Sequence, residues 1–167
     1  MRWPIKQPSQ PAQGTDCRLQ QIVARAQGLL ARREHARKEL AQKLQQKFSH
    51  CAQLETLLSQ ALDYCESQNW LSDQRYVESY LRMAQAKGQG ELKCRQALLQ
   101  SCGRIDLIDE ALRDYAVQSQ SLAKQALAKK FGDTRRPAER KEFARRLRFL
   151  QSRGFSVSQC YQAFDAE

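Results

Sequence analysis

The stretch WLSDQRYVESYLRMAQAKGQGELKCRQALLQSCGRIDLIDEAL, residues 70–112, decides the fold because it carries the start and stop signals of three helices. Ser72 and Asp73 can each accept a hydrogen bond from the free N–H groups of a helix start. Behind them Val77, Tyr80, Leu81 and Ala84 fall at i, i+3, i+4 and i+7, an apolar stripe along one helix. Lys87 puts positive charge in the last turn, and Gly88 follows as a left-handed stop. Gly90-Glu91 restarts a helix with an acid at its positive end, and Leu92, Leu98 and Leu99 are its predicted apolar side. After Cys102-Gly103 a third helix uses Ile105, Ile108, Ala111 and Leu112.

The same register recurs on either side. From Leu98 the later apolar partners at +7, +10, +13 and +14 are Ile105, Ile108, Ala111 and Leu112. Those offsets from Leu44 land on Cys51, Leu54, Leu57 and Leu58, and from Leu150 on Val157, Cys160, Ala163 and Phe164. The anchors lie 54 and 52 residues apart (98 − 44 and 150 − 98). Any amphipathic helix matches at the last three offsets, but a constant gap from the anchor points to an internal repeat. The predicted fold is therefore all-α, an elongated curved array of three tandem three-helix repeats with nine helices. The repeats fall at 16–69, 70–116 and 117–167, behind a flexible tail at 1–15 that holds Pro4, Pro8 and Pro11.

In the first repeat the predicted helices are 16–32, 36–46 and 50–68, with Leu19, Ile22, Val23, Ala26, Leu30, Leu40 and Leu44 turned inward. The outward side of the first two is basic, whereas the third carries Glu55, Asp63 and Glu66 and no Lys or Arg. Trp70 sits where the first two repeats meet and is read as a packing residue. The third repeat opens with a helix at 119–131, ending in Lys129-Lys130-Phe131-Gly132 with cations on the negative dipole end and a Gly stop. Pro137 suits the first turn of the next helix, 137–152, whose Phe143, Leu147 and Leu150 point inward.

A hydrophobic content of 41% suits a thin array better than one large core. No stretch approaches the ~18 uninterrupted apolar residues of a membrane span, and the N-terminus lacks the apolar core of a secretory signal. The chain is placed in the cytoplasm. Its six cysteines show no C-x-x-C pair and are read as small buried thiols. His35 and His50 have no flanking ligand pattern and are read as non-functional or capping.

The net charge of +10 implies attraction to polyanions or to an acidic protein surface. It is unevenly spread: eleven of the 28 basic residues lie between Lys124 and Arg153, against Asp133, Glu139 and Glu142. Charge alone therefore nominates the contact residues: Arg32, Arg33, Lys87, Lys129, Lys130, Arg135, Arg136, Arg140, Lys141, Arg145, Arg146, Arg148 and Arg153. The 137–152 surface could meet nucleic-acid phosphates or an acidic protein. Lying on a membrane would require its inward Phe and Leu residues to leave the core.

No catalytic constellation stands out. There is no paired-carboxylate, Ser/His/Asp or Cys/His set and no metal-ligand spacing. Lys87-Gly88-Gln89-Gly90 is the one glycine-rich loop, without the Gly-Lys-Ser/Thr ending or the preceding strand of a phosphate loop, and a helix stop plus restart accounts for both glycines. The residues predict neither an enzyme nor a cofactor.

Five segments, in order, resemble the RecX family, the regulators of the RecA recombinase. They are residues 30–40 with Lys43-Leu44, Trp70 to Val77, Lys87 to Gly90 running into Arg95-Gln96-Ala97-Leu98, Lys129 to Gly132, and Arg148 to Ser156. Together they span about residues 25 to 164. The chain departs from the family pattern at Ala36, where a Ser would build a capping box with Glu39, at Glu91, where a proline is usual, and at a displaced turn glycine, Gly103. The resemblance implies a non-enzymatic, cofactor-free monomer that binds RecA–ssDNA filaments along their groove. It implies restraint of filament growth, ATP hydrolysis, strand exchange and co-protease activity in DNA repair and the SOS response, with contact to single-stranded DNA inside the filament or weak DNA binding. The alternative is a helical DNA- or RNA-binding module acting independently of RecA.

Overall fold

The structure, a computed structural model, describes residues 18–165. The tail expected at 1–15 and the first residues of the first repeat lie outside them. Eight helices follow in order: α1 (Leu19–Leu30), α2 (Arg37–Lys47), α3 (Leu54–Ser67), α4 (Asp73–Ala86), α5 (Glu91–Ser101), α6 (Ile105–Phe131), α7 (Arg140–Ser152) and α8 (Val157–Gln162). Among the described residues the only β pairing is a single bridge between Arg135 and Asp165.

Eight replaces the nine expected because the sixth and seventh helices are one. From Arg113 to Gln118 there is no glycine or proline to break the helix. Its buried stripe runs on through Leu112, Tyr115, Ser119, Leu122 and Ala123. The division drawn between 116 and 117 thus falls inside the 27-residue α6. Pro137 also stands outside its expected helix, in the loop before α7, whose N-cap is Glu139.

The helices enclose two cores. α1, α2 and α3 pack on one another around Ile22, Ala26, Leu40, Leu44, Ala61 and Cys65, all fully buried. Trp70 lies over this core with its ring edge-on to Tyr64 at 5.6 Å, the packing role read for it. The second and third repeats share the other core, in which Leu98, Ile108, Leu127, Leu150 and Cys160 are fully buried. All three register anchors, Leu44, Leu98 and Leu150, are at 0% exposure. Of the +7 positions Cys51 is buried, but Ile105 and Val157 are the first residues of their helices and are 57% and 61% exposed. Leu92, assigned to the inward side of α5, is 54% exposed, and Cys94 takes the buried place.

Two polar joints hold the array together. At the first, Ala36 gives α2 no side-chain cap. The Asp73 carboxylate, from the first turn of α4, accepts instead from the Arg37 N–H at 2.7 Å. Arg75 adds an ion pair to Glu34 at 3.0 Å and bonds to Asn69 and to the Trp70 carbonyl. His35 is buried here. Its Nδ1 lies 3.0 Å from the Arg33 carbonyl and its Nε2 3.3 Å from Lys43 Nζ. A neutral ring donating from Nδ1 and accepting from Lys43 satisfies both contacts, and burial lowers the His35 pKa.

At the second joint the α4–α5 loop lies on the α7–α8 turn. Gly90 N–H donates to the Arg153 carbonyl at 2.8 Å, and Leu92 N–H to that of Gly154 at 3.0 Å. Tyr115 Oη donates to the Gln89 carbonyl at 2.6 Å. Gly88, with φ +61, is the left-handed stop foreseen for α4. Gly90 has a different reason: a Cβ there would stand 2.3 Å from the Gly154 carbonyl carbon and oxygen, so only hydrogen fits between the two backbones.

Candidate filament-binding surface

Four cations of the third repeat, Arg136, Arg145, Arg146 and Arg153, sit on an aromatic platform. α6 delivers Phe131 and α7 delivers Phe143 and Phe149, with Phe131 and Phe149 edge to face at 5.4 Å. Guanidiniums lie over these rings: Arg136 on Phe143 at 4.7 Å, Arg145 and Arg146 on Phe131 at 5.4 and 5.0 Å, and Arg153 on Phe149 at 5.2 Å. Each cation is drawn to the electron-rich ring face, which orders the long side chain against a rigid base. In sequence Phe143 reads as a core residue, and the interleaving of Phe with Arg at helical spacing is the signal for its second role.

The nominated residues separate into exposed cations outside any ion pair and cations with structural partners. Arg146 is structural: its side chain is 11% exposed and bridges Asp133 at 2.8 Å and Glu142 at 3.1 Å. It holds both carboxyls below their usual range and is itself raised, first by Asp133. These bonds tie the α6–α7 loop to α7. Arg145 shares Glu142 at 3.1 Å. Arg33 is turned to Glu39, whose carboxyl stays low because bonds from Arg33 and Lys43 outweigh the burial that pushes it up. Arg153, half-buried, donates to the Lys87 carbonyl at 2.7 Å and thereby brings Lys87 beside the end of α7.

The rest are exposed and, among the described residues, outside any ion pair: Arg32, Lys87, Lys129, Lys130, Arg135, Arg136, Arg140, Lys141 and Arg148. On α7, Lys141, Arg145 and Arg148 fall at i, i+4 and i+7, opposite the inward Leu150. They line about 10 Å of helix at ~1.5 Å per residue. Lys129 and Lys130 stand at the C-terminal end of α6, and Arg135 and Arg136 lie in the loop between the two helices. Arg32 and Arg33 lie in the turn between α1 and α2, and no hydrogen bond or ion pair ties either to α7.

The first repeat is less cationic than its sequence suggested. Arg37 reaches across to Asp63 and Glu66 of α3 at 2.6 and 2.7 Å, so the basic and acidic flanks meet at that residue, while Arg32, Lys38 and Lys47 stay outside any ion pair among the described residues. Residues 117–164, the part that holds most of the nominated exposed cations, match the family model for the third three-helix domain of RecX. The Regulatory protein RecX of Vibrio campbellii is 37% identical over 139 residues, covering 83% of this chain and 86% of its own. That of Pseudomonas tolaasii is 38% identical over 132 residues, covering 79% and 82%. The chain belongs to the RecX family.

The fold of the family is shared as well. A crystal structure of regulatory protein RecX superposes with TM-score 0.68 at 24% identity, covering 84% of this chain and 68% of that one. RecX from Lactobacillus salivarius gives TM-score 0.67 at 20% identity, covering 87% and 93%. Among the described residues no group of three or more His, Cys, Asp or Glu could hold a metal ion, and no helix is long and apolar enough to cross a membrane. Cys65, Cys94, Cys102 and Cys160 are free and buried, and burial pushes the Cys160 thiol up to about 11. Cys51 departs from the reading of six free thiols: it is buried and disulfide-bonded.

Proposed function

We propose that this RecX-family regulator binds RecA–ssDNA filaments through the cationic surface of the third repeat and damps their ATPase, recombinase and co-protease activities without chemistry of its own. The observation that carries this is the segregation of charge. Acids pair with Arg33, Arg37 and Lys43 of the first repeat, whereas the third repeat holds the densest run of exposed cations, Lys129, Lys130, Arg135, Arg136, Arg140, Lys141 and Arg148, outside any ion pair among the described residues along α6, its loop and α7. Exposed cations spaced along two helices and their loop attract an extended polyanion, and each contact with a phosphate releases a counterion. In this reading the protein acts as a cytoplasmic monomer, needs no cofactor, and meets single-stranded DNA within the filament.

The test is titration of the purified protein into RecA, ssDNA and ATP, from substoichiometric to excess. ATP hydrolysis and mean filament length both fall as the ratio rises. Unchanged values at every ratio would overturn the proposal. Tight, sequence-selective binding to naked DNA at physiological salt would favour a nucleic-acid reader acting without RecA.

A further inference from the structure

The other long surface of the molecule carries charge of the opposite sign. α5 packs against both α4 and α6, yet none of its residues lines the groove that runs between those two helices. The groove has a volume of about 610 Å3 and continues as a shallower trough as far as Gln125. Val77 and Leu81, nearly buried, lie along its base. Glu78 of α4 and Glu110 and Asp114 of α6 edge it, all exposed and none in an ion pair among the described residues. Arg82 is the one cation among the lining residues.

This is a local reversal. The chain carries +10 overall, and its other carboxylates largely face a cation: Glu39, Asp63, Glu66, Asp133, Glu142 and Asp165 all do. A phosphate backbone is repelled by three carboxylates set against the single cation Arg82 along an apolar trough, whereas a cationic protein segment is attracted. Gln85 and Gln118 add amide donors and acceptors at the edge. The lining on α6 extends from Leu107 to Gln125, about 27 Å at ~1.5 Å per residue, and on α4 from Gln74 to Ala86, about 18 Å. A trough of that length between two helices suits a third helix of three to five turns, laid in by its apolar face.

We infer that the α4–α6 groove docks a Lys- or Arg-bearing amphipathic helix supplied by the protein component of the filament, its apolar side on Val77 and Leu81 and its cations at Glu78, Glu110 and Asp114. The source of the helix rests on the function proposed above; its chemistry does not. The regulator then meets protein with one surface and phosphate with the other.

The test uses the full chain and a fluorescein-labelled 16-residue peptide of alternating Leu and Lys at helical spacing, with a second peptide in which every Lys is Glu. Anisotropy titrations compare wild type with a groove variant (Glu78→Gln, Glu110→Gln, Asp114→Asn) and an α7 variant (Arg140→Glu, Lys141→Glu, Arg148→Glu), each checked for unchanged helical content. The Lys peptide is expected to bind wild type and the α7 variant alike and the groove variant at least tenfold more weakly, whereas the Glu peptide, drawn to the α7 cations, binds wild type and the groove variant alike. Equal affinity of the groove variant and wild type for the Lys peptide would overturn the inference. Binding to RecA in the absence of ssDNA is then compared for the same proteins. Loss in the groove variant alone supports the inference, and an unaffected groove variant refutes it while leaving the filament reading intact. Failure of wild type to bind RecA with or without ssDNA, with the peptide result unchanged, would sink the filament reading and leave the groove's chemistry standing.

Discussion

Replacing Gly90 by alanine should loosen the third repeat from the second. The added Cβ would sit 2.3 Å from the Gly154 carbonyl carbon and oxygen and 2.4 Å from Phe155 N, and all three are backbone atoms with no rotamer to change. Restoring an ordinary contact requires the loop and the α7–α8 turn to part by more than an ångström. That movement breaks the bonds from Gly90 N–H to Arg153 at 2.8 Å and from Leu92 N–H to Gly154 at 3.0 Å. Two such bonds are worth about 1–3 kcal/mol together, and overpacking adds about 1–3 kcal/mol. The expected loss is about 2–6 kcal/mol, or roughly 4–24 °C in Tm for a chain of this size. Gly28→Ala is the internal control. Nothing lies within 4 Å of a Cβ at that exposed position inside α1, so it should gain about 0.5–1 kcal/mol. Urea unfolding followed by circular dichroism measures both. A Gly90→Ala protein within about 0.5 kcal/mol of wild type would refute the reasoning, because the close approach of the two backbones would then have no energetic consequence.

Other consequences follow from the first joint. Asp73→Ala removes the only side-chain partner of the Arg37 N–H and should cost about 1–2 kcal/mol; adding Ala36→Ser, a local cap for α2, should recover about half of it. Failure of the serine to rescue would show that Asp73 acts by something other than capping. His35 titrates in a window that the carboxylates do not share. Burial holds its folded pKa below 6.5, so the unfolded chain binds the proton first, and stability present above 6.5 is lost as pH falls through that value towards the folded pKa. Denaturant midpoints at pH 7.5 and 5.5 should differ for wild type and lie closer together for His35→Gln; equal spacing in the two proteins would contradict the burial argument.

Much of the fold was legible because helix punctuation is local. Gly88 and Gly132 stop α4 and α6 with positive φ, Ser72 caps α4, and the Leu44, Leu98 and Leu150 anchors are all buried. What escaped was long-range or negative. Gly90 answers to Gly154, 64 residues away (154 − 90), and its local sequence explains it just as well as a restart. Asp73 reads as a cap for its own helix, and nothing nearby shows that it serves α2. The fusion of two helices into α6 follows from the absence of a breaker, and a repeat argument tends to supply one.

The surface was legible only as a charge density. Counting Lys and Arg does not tell Arg146, held under the loop by Asp133 and Glu142, from Arg148, exposed on the same helix. The partner acid that decides it, Asp133, is 13 residues earlier in the chain. The groove between α4 and α6 had no sequence signal at all, since Glu78, Glu110 and Asp114 come together only through packing.

The central claim is that exposed cations on α7 contact the DNA-bearing filament. It is tested most directly by the salt dependence of binding to RecA–ssDNA, comparing wild type with Arg140→Glu, Lys141→Glu, Arg148→Glu. Arg146 is left in place so that the loop stays anchored. The helical content should be unchanged, binding should weaken, and the slope of log K against log salt should become shallower by about 2, since each lost phosphate contact on a single strand removes about 0.7. A variant with wild-type affinity and an unchanged salt slope would show that these charges are a solvated face and that the filament is recognised elsewhere.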